Sequence, residues 1–321
     1  MGEFELIRRH FQRQRPARAD VPLGMGDDCA LLLPTPGQQL AVSTDMLVEG
    51  RHFVSTVDPA ALGHKALAVN LSDLAAMGAE PLGFTLALAL PQADDAWLAG
   101  FARGLFELAD AHGCELVGGD TTRGPLNLCL TVMGQVPPGL ALRRAAACVG
   151  DDVYVSGTLG DARLALEVFR GGVALDAAAF TRVRARMERP TPRLALGLAL
   201  RGVAHAAADI SDGLSGDLGH ILAASGVGAT LQAAELLRAT SDDLRANGDM
   251  RALEYALTGG DDYELVFTAP PDQRDAVARA AAHAGLGVTR IGQIDATPGL
   301  RLLDMQQQPL ALPGRAFDHF A

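Results

Sequence analysis

The chain has 321 residues, of which 49% are hydrophobic and 20% are charged. This length suits about two domains with sizeable cores, and the composition excludes an intrinsically disordered protein. The formal net charge of -11 argues against a nucleic-acid partner, because binding to phosphate backbones requires clustered cations.

The N-terminal sequence MGEFELIRRHF is charged throughout and lacks the apolar segment of a signal peptide. No uncharged apolar run approaches the ~20 residues that a membrane-spanning helix needs, so we expect a cytoplasmic protein without a membrane partner. The cysteines Cys29, Cys114, Cys129 and Cys148 form no C-x-x-C pair and have no histidine at zinc-finger spacing. We expect them to be small buried side chains in a reducing compartment, without a structural zinc site.

In chain order, the first predicted helix covers residues 3–13, where apolar side chains recur at helical spacing. A strand enters at Leu40–Val42 and is expected to end at Ser43-Thr44-Asp45. The next helix begins at Asp58-Pro59, because an acidic cap followed by proline favours a helix start. It runs to about Met77 and stops at Gly78.

This second helix should have two distinct faces. Leu67, Leu71 and Leu74 form an apolar face that is expected to be buried. Asn70 and Asp73 are three residues apart and therefore share a different, polar face.

A strand at Phe84–Leu90, a helix over 94–112 and strands at Glu115–Val117 and Leu126–Val136 complete the first half. The last two strands flank a predicted turn at Gly118-Gly119-Asp120. Pro137-Pro138-Gly139 then marks the best domain boundary, which divides the chain into domains 1–137 and 138–321.

Strands and helices also alternate in the second half. The predicted strands are Asp152–Val155, Ala206–Ile210, Tyr263–Phe267 and two short strands near the end, and the predicted helices cover 160–170, 178–188, 192–201, 214–224 and 272–284. The fold class is therefore mixed α/β in both halves.

Six short motifs place aspartate beside glycine, serine or threonine. They are GDDCALL from Gly26, STDMLVEGRHF from Ser43, NLSD ending at Asp73, GGDTTRG from Gly118, DISDG from Asp209 and GGDDYEL from Gly259. Each alone could be an ordinary turn or helix cap, and His52 alone could be an ordinary surface histidine. Together they predict several Mg²⁺ ions around a polyphosphate, because carboxylate and hydroxyl oxygens suit Mg²⁺.

Two of these motifs add backbone features that suit a phosphate. The glycines of GGDTTRG allow close backbone approach to a ligand, and DISDG precedes a predicted helix whose N-terminus attracts anions. A P-loop is excluded, because the sole lysine, Lys65, lies inside a predicted helix, and no protein-kinase signature occurs. A nucleotide would therefore be bound through metals, arginines and backbone amides.

The ordered set GEFELI, GDDCALL, STDMLVEGRHF, KALAVNLSDLAAMGA, GGDTTRG, SGTLGD, DISDGL and GGDDYEL resembles the thiamine-monophosphate kinases. That family belongs to the aminoimidazole-ribonucleotide-synthetase-like, or PurM-like, superfamily, and the match runs from Gly2 nearly to the C-terminus. The resemblance implies a phosphotransferase that uses ATP and several Mg²⁺ ions to convert thiamine phosphate into thiamine diphosphate by direct in-line transfer. This reaction is the last step of thiamine diphosphate biosynthesis.

The resemblance further implies a two-domain fold and a homodimer. The N-terminal ATP- and Mg-binding domain would pair with its twin to form a β-barrel across the interface, with the ATP site nearby. The C-terminal domain would be a second α/β unit.

The resemblance also implies residue roles, carried over by position. The magnesium ligands would be Asp28, Ser43, Thr44, Asp45, Asp73, Asp120, Asp209 and Asp212, with Asp45, Asp73, Asp120 and Asp212 central to catalysis. ATP would contact Gly119, Asp120, Arg144 and Ser211, and thiamine phosphate would contact His52, Asp261 and Phe317. Asp261 stands where the family usually has glutamate, and Phe317 stands where an aromatic residue, often tryptophan, would stack on the substrate.

Two other functions remain open from the sequence. One is another ATP-using enzyme of the superfamily, such as a cyclo-ligase or a selenophosphate synthetase. The latter normally has a reactive cysteine or selenocysteine near its N-terminus, whereas the first cysteine here is Cys29, inside a predicted metal motif. The other is a non-catalytic module that binds Mg-ATP without turnover, and the filled magnesium positions favour an enzyme over it.

Overall fold

The computed structural model describes residues 2–13 and 18–311, so the predicted substrate contact Phe317 lies outside the described residues. The chain divides into two compact units. The first consists of the residues up to Leu74 with Ala79–Gly139, and the second of Ala75–Gly78 with the residues from Leu140 onward. Among the described residues, no helix has the length and apolar character to cross a membrane.

The described residues of the first unit form three helices and a four-stranded sheet. In chain order these are α1 Glu3–His10, β1 Gln39–Val48, α2 Pro59–Ala76, β2 Glu80–Leu90, α3 Asp95–Ala111, β3 Glu115–Arg123 and β4 Asn127–Val136. The strand order is β1-β4-β2-β3. β4 pairs antiparallel with β1 and β2, whereas β2 and β3 are parallel.

The two faces of this sheet differ in burial because side chains alternate along each strand. Leu47, Leu86 and Leu128 lie on the covered face and are at most 4% exposed. Leu40, Val42 and Met46 lie on the opposite face and are 51%, 57% and 54% exposed. The first unit therefore presents one apolar sheet face that its described residues leave open.

Helix α2 has the two faces that its sequence predicts. Its leucines at 67, 71 and 74 are at most 1% exposed, and it ends two residues before Gly78, whose φ of 62° gives it a left-handed conformation. Asn70 and Asp73 both contact β1, as described below.

Two sequence predictions in this unit are wrong. β1 does not end at Ser43-Thr44-Asp45 but continues to Val48, because its pairing with β4 continues to Asn127. Gly118-Gly119-Asp120 is not a turn but lies inside β3, paired with β2 from Thr85 onward. Gly119 is a glycine because the two strands approach closely there, which is the other common reason for glycine in a strand.

The second unit is built on a seven-stranded mixed sheet of order β11-β10-β7-β9-β5-β8-β6. Its strands are β5 Asp152–Ser156, β6 Ala206–Asp209, β7 Gly228–Gln232, β8 Leu265–Ala269, β9 Val288–Asp295, β10 Gly299–Leu303 and β11 Pro309–Leu310. Its helices are α4 Asp161–Phe169, α5 Ala177–Glu188, α6 Leu194–Ala199, α7 Leu214–Ser225, α8 Ala233–Arg238, α9 Asp242–Arg245, α10 Asp249–Thr258 and α11 Arg274–His283, with 3₁₀ turns at Arg144–Ala146 and Pro271–Gln273. The prediction of a mixed α/β class is confirmed.

Strand β7 and helices α8, α9 and α10 were not predicted from the sequence. α8 and α9 have six and four residues, too few to show a helical period. α10 begins after Gly248 without a side-chain cap, so it lacks the usual start signal. Strand β8 starts at Leu265 rather than at Tyr263, because Tyr263 has a positive φ of 50°.

The expectation of buried cysteines holds only for Cys114. Cys129 is half-buried, and Cys29 and Cys148 are exposed. All four are free thiols.

Candidate functional site

In the first unit, β1 and α2 bring four predicted polar residues together. The Ser43 hydroxyl donates a hydrogen bond of 2.5 Å to Oδ2 of Asp73. The backbone N–H of Asp45 donates to Oδ1 of Asn70 over 3.2 Å. Asn70 is fully buried and fixes the strand to the helix, while Ser43, Asp45 and Asp73 are half-buried. These three side chains thus place carboxylate and hydroxyl oxygens close together at a partly open position.

The regular direction of side chains along a strand and along a helix explains this cluster. Residues two apart on a strand share a face, which places Ser43 and Asp45 on the same side of β1. Residues three apart on a helix also share a face, which places Asn70 and Asp73 toward the strand. Thr44 lies on the opposite sheet face, where its hydroxyl is 2.8 Å from the hydroxyl of Thr131. The structure therefore separates the Thr44 side chain from the cluster, and only its backbone shares the location.

Asp120 also lies away from this cluster within the chain. It is exposed and pairs in register with Ala87, on β3 at the far side of the sheet from β1. Asp120 pairs through Ala87 and Cys129 with the row of Met46, so its side chain lies on the open sheet face and not on the face of Asp45. At about 4.8 Å per strand, three strand steps also put roughly 14 Å between the strands that carry Asp45 and Asp120. One magnesium ion, with bonds of about 2.1 Å, cannot join them within a single chain.

Gly119 shows why β3 needs a glycine at this position. Its φ is 151°, and a Cβ atom there would lie 2.0 Å from the carbonyl oxygen of Leu86. Gly118 is different, because a Cβ atom would meet only Cγ2 of Thr85 at 3.9 Å. Gly119 therefore permits the close parallel pairing that presents Asp120.

The remaining predicted residues of this unit lie in loops. Asp28 is exposed, and its backbone N–H donates to Oδ1 of Asp27 over 2.9 Å. His52 is half-buried, and its Nδ1 accepts a hydrogen bond of 2.9 Å from the backbone N–H of Val48. Lys65 donates to the carbonyl oxygen of His52 over 3.1 Å. The sole lysine of the chain thus holds the loop that carries His52.

In the second unit, the DISDG segment forms a tight loop between β6 and α7. Asp209 is 4% exposed at the end of β6, and Ser211 and Asp212 are half-buried. Oδ2 of Asp217 accepts hydrogen bonds from the backbone N–H groups of Ser211, Asp212 and Gly213 at 3.0, 3.1 and 3.2 Å. The carboxylate of Asp217 therefore determines the loop conformation.

Burial raises the pKa of Asp217 to about 6. The hydrogen bonds that Asp217 accepts from backbone N–H groups lower its pKa, as does the positive charge of Arg144. Arg144 is exposed in the 3₁₀ turn Arg144–Ala146, so this interaction places a predicted ATP contact near the DISDG loop.

The GGDDYEL segment is hydrogen-bonded to the DISDG loop. The backbone N–H of Asp261 donates to the carbonyl oxygen of Ser211, and that of Tyr263 to the carbonyl oxygen of Ile210, each over 2.9 Å. Gly260 is required here, because a Cβ atom would lie 2.4 Å from the carbonyl oxygen of Ser211. These contacts place Asp261 beside Ser211 and Asp212.

The same segment has strained backbone at the predicted substrate contact. Asp261 and Tyr263 have φ values of 68° and 50°, which non-glycine residues rarely adopt. The Tyr263 hydroxyl donates a hydrogen bond of 3.1 Å to Oδ1 of Asp261. Strain of this kind persists where the surrounding contacts fix it, and it occurs most often at functional sites.

The other two acids of the segment are buried and structural. Both carboxylate oxygens of Asp262 accept a hydrogen bond from the backbone N–H of Gly160, at 3.0 and 2.9 Å. Burial raises the pKa of Asp262 well above its ordinary value. Glu264 is fully buried and accepts from Ser156 at 2.5 Å, from Arg186 at 2.6 Å and from Arg193. These bonds tie GGDDYEL to the SGTLGD loop and leave Asp261 as the half-buried acid of the segment.

The predicted magnesium ligands of both units offer only the oxygen atoms of carboxylates and hydroxyls. This donor set fits Mg²⁺, which prefers hard oxygen ligands and retains positions for phosphate and water. It does not resemble the sulfur- and nitrogen-rich sets that hold zinc or copper.

Two residues that shape the site were not identified from the sequence. Asp217 lies one turn into α7, where an acid near a helix start is a common capping signal. Tyr263 was read as part of a strand. Its contact with Asp261 depends on positive φ values that no local pattern reveals.

Comparisons with known proteins identify the family of the chain. Residues 26–136 match the model of the N-terminal domain of AIR synthase related proteins, and residues 149–304 match the model of their C-terminal domain. The thiamine-monophosphate kinase of Escherichia coli is 48% identical over 322 aligned residues, covering 100% of this chain and 98% of the relative. The chain belongs to the thiamine-monophosphate kinase family. The prediction of a kinase of this family is thereby confirmed.

Solved structures of the family have the same fold. The thiamine-monophosphate kinase from Stenotrophomonas maltophilia is 51% identical, with a TM-score of 0.84 over 89% of this chain and 92% of that chain. A ThiL structure complexed with AMPPCP and TMP is 30% identical, with a TM-score of 0.78 over 92% of each chain. Escherichia coli HypE, a hydrogenase maturation protein, matches at 22% identity with a TM-score of 0.78, which shows the shared fold alone. The PurM-like fold prediction is confirmed.

Proposed function

We propose that this protein transfers the γ-phosphoryl group of ATP to thiamine phosphate, forming thiamine diphosphate. The observation that supports this most strongly is the pairing of full-length family membership with a cluster of oxygen ligands at Ser43, Asp45 and Asp73. A related structure with bound AMPPCP and TMP supports the same pair of substrates.

The acceptor determines what the protein must supply. A phosphate monoester has a second pKa of about 6, so thiamine phosphate is largely dianionic at neutral pH and needs no strong general base. The main difficulty is bringing two polyanions together. Phosphoryl transfer leaves the protein mainly positioning and electrostatic stabilisation to supply.

We propose that the carboxylates meet this need by holding Mg²⁺. When bound, Mg²⁺ neutralises phosphate charge and aligns the reacting oxygens. In the first unit Asp45 and Asp73 would hold the metal, with Ser43 fixing the orientation of Asp73 through its hydrogen bond and Asp28 adding an exposed ligand. In the second unit Asp209 and Asp212 would be further ligands, and Ser211 and Arg144 would contact the ATP phosphates.

The contacts with thiamine phosphate are proposed for His52 and Asp261. Tyr263 orients the Asp261 carboxylate through its hydroxyl. The loop that carries His52 is held by Lys65. We propose direct in-line transfer, because each of these residues would bind or orient a substrate or metal and none is proposed as a nucleophile.

We further propose a homodimer in which Asp120 of one copy, on the same sheet face as the Thr44 side chain, completes the metal site at Thr44 and Asp45 of the other. Asp45 and Asp120 lie on the two edge strands of the sheet, β1 and β3, which are roughly 14 Å apart within one chain by strand spacing. Each edge strand has a single neighbour among the described residues. A second copy that covers the exposed face of Leu40, Val42 and Met46 could place its β3 beside β1 and close the two sheets into a barrel.

The acceptor distinguishes this function from others. The purified protein should form thiamine diphosphate from Mg-ATP and thiamine phosphate, but give no product from free thiamine, which lacks the dianionic acceptor. Product from free thiamine at a comparable rate would contradict the proposed role of the acceptor phosphate. After incubation with γ-labelled ATP, covalent label on the denatured protein would contradict direct transfer.

A further inference from the structure

A second group of potential metal ligands lies in the second unit, apart from the aspartate motifs. It consists of Cys148, Asp151 and His205, whose ligand atoms all lie within 4.8 Å of one another. The sequence predicts no zinc site at Cys148, because it has no C-x-x-C partner and no histidine at zinc-finger spacing. Their mix of thiol, carboxylate and imidazole differs from the all-oxygen set of the proposed magnesium ligands.

A tight turn brings the first two residues together. The backbone N–H of Asp151 donates to the carbonyl oxygen of Cys148 over 3.0 Å, which closes a four-residue turn. Gly150 has a φ of 95°, as the third position of a type II turn requires. The Cys148 N–H returns a hydrogen bond of 2.9 Å to Oδ2 of Asp151. The turn thus holds thiol and carboxylate on the same side.

Sheet pairing brings the histidine to this turn. β8 lies between β5 and β6, and its Thr268 contacts both neighbours. The backbone N–H of His205 donates a hydrogen bond of 2.8 Å to the carbonyl oxygen of Thr268. The Thr268 hydroxyl donates a hydrogen bond of 3.1 Å to Oδ2 of Asp151. Nδ1 of His205 then lies 3.0 Å from Oδ1 and 2.9 Å from Oδ2 of Asp151.

Burial makes Asp151 the fixed member of the group. The residue is 2% exposed, and Oδ2 is held by Cys148 and Thr268. Cys148 is exposed, and the His205 side chain is 41% exposed. An ion could therefore enter from solvent and meet a carboxylate whose orientation is already set.

We propose that Cys148, Asp151 and His205 bind a borderline transition-metal ion of the Zn²⁺ class. Tetrahedral bonds of about 2.0–2.1 Å to nitrogen and oxygen place these two atoms about 3.3 Å apart, close to the present contact between His205 Nδ1 and Asp151 Oδ1. A Zn–S bond of about 2.3 Å requires a sulfur–nitrogen distance of about 3.6 Å. The exposed Cys148 side chain can rotate to reach that distance.

Binding would require two proton movements. The Cys148 thiol loses its proton to solvent, because the thiolate is the ligand. The His205 ring carries its proton on Nε2, so that Nδ1 presents a lone pair to the metal. Three protein ligands leave a fourth position for water. The ion would link the start of β5 to the start of β6.

Cobalt is the probe that tests this site, because Co²⁺ bound to thiolate absorbs light and Mg²⁺ does not. The full-length protein, stripped with chelator and held in excess Mg²⁺, should bind one Co²⁺ with a thiolate charge-transfer band. Cys148→Ser should abolish the band, and His205→Ala should weaken Co²⁺ binding at least about tenfold. Cys29→Ser is the matched control, because Cys29 is also an exposed thiol and lies beside Asp28.

The control should keep the full band. A band that persists in Cys148→Ser, or that disappears in Cys29→Ser, would overturn the assignment, as would the absence of any band in the unmodified protein. Zn²⁺ should also raise the unfolding temperature of the unmodified protein but not that of Cys148→Ser. None of these readouts involves kinase activity, so the result is independent of the proposed function.

Discussion

At the residue scale, Asp73 is the most direct test of the proposed metal cluster. Asp73→Asn retains an oxygen that can accept the Ser43 hydroxyl but removes the charge that would bind Mg²⁺. We expect kcat to fall at least about 100-fold, with unchanged folding by circular dichroism. Asp275→Asn, at an exposed position on α11, serves as the control and should retain full turnover. Near-normal turnover in Asp73→Asn would show that Asp73 is not a metal ligand.

Asp261 and Tyr263 should act as one unit on thiamine phosphate. Asp261→Ala should raise the KM for thiamine phosphate much more than the KM for ATP, because the carboxylate is proposed to contact the acceptor. Tyr263→Phe removes only the hydroxyl that orients Asp261, so it should raise the same KM by a smaller factor. In the double variant, Tyr263→Phe should add little to the effect of Asp261→Ala. Equal effects on both substrates, or full additivity, would be inconsistent with this arrangement.

At the element scale, β3 depends on one of its two adjacent glycines. Gly119→Ala places a Cβ atom 2.0 Å from the Leu86 carbonyl oxygen, so it must separate β3 from β2. We expect the free energy of unfolding to fall by about 3 kcal/mol. Gly118→Ala meets only a methyl group at 3.9 Å and should change it by less than about 1 kcal/mol. Urea denaturation of both variants measures the difference, and similar losses would mean that β3 is placed differently.

Much of the element order could be predicted because it depends on local patterns. The cap at Asp58, the proline after it and the leucine spacing of α2 predict a helix with the observed burial. The position of GGDTTRG could not be predicted in this way. Its glycines have the composition of a turn, and only pairing with a strand distant in sequence places them inside β3.

The DISDG loop and α7 should make stability depend on pH through Asp217. Its pKa is about 6 in the folded protein and about 3.9 in an unfolded chain, so the folded state binds the proton more tightly. The contribution of Asp217 to the free energy of unfolding is fully present below pH ~4. It is lost as pH rises through about 6, which lowers the free energy of unfolding by up to about 3 kcal/mol. Burial also raises the pKa values of Asp161 and Asp262, which act in the same direction.

Comparison with Asp217→Asn isolates this effect. Burial lowers the pKa of His112, so His112 favours the folded state as pH rises toward 6.5 and opposes the effect of Asp217. This contribution of His112 is the same in the unmodified protein and in Asp217→Asn. In metal-free buffer, the unmodified protein should lose more stability between pH 5 and 7.5 than Asp217→Asn does. Parallel curves of unfolding free energy against pH would contradict the raised pKa.

At the scale of the whole molecule, the exposed sheet face predicts a dimer. Val42→Asp adds a charge in the middle of the apolar side chains at Leu40, Val42 and Met46, so it should yield a monomer by light scattering. Glu80→Asp, at an exposed position on β2, should remain dimeric. A monomeric mass for the unmodified protein at micromolar concentration would exclude the dimer.

The sharing of Asp120 between copies makes a stronger prediction. Asp45→Asn and Asp120→Asn should each be nearly inactive alone. If they are mixed 1:1 under conditions that exchange subunits, half of the dimers carry both variants, and one of the two sites in each is intact. Activity should then recover to about a quarter of the unmodified value. No recovery despite verified exchange would mean that each chain builds its site alone.

The candidate site was predictable to the extent that its residues stand in recognisable motifs. Asp45, Asp73 and Asp209 each lie in such a motif, and the family resemblance assigned their roles together. The separation of Asp120 from the Asp45 cluster was not predictable, because it depends on strand register. The Thr44 side chain points away from the cluster because β1 continues through Asp45, where the sequence predicts the strand to end. The group of Cys148, Asp151 and His205 was missed for the same physical reason, since only the β5-β8-β6 order brings its members together.

The measurement that decides the proposed function is the balance of products from Mg-ATP and thiamine phosphate. Chromatography of the reaction should show ADP and thiamine diphosphate in equal amounts, with both lost in the Asp73→Asn variant. ATP hydrolysis without thiamine diphosphate would contradict the kinase and favour another ATP-using enzyme of the superfamily. Binding of Mg-ATP without any turnover would instead indicate a non-catalytic module.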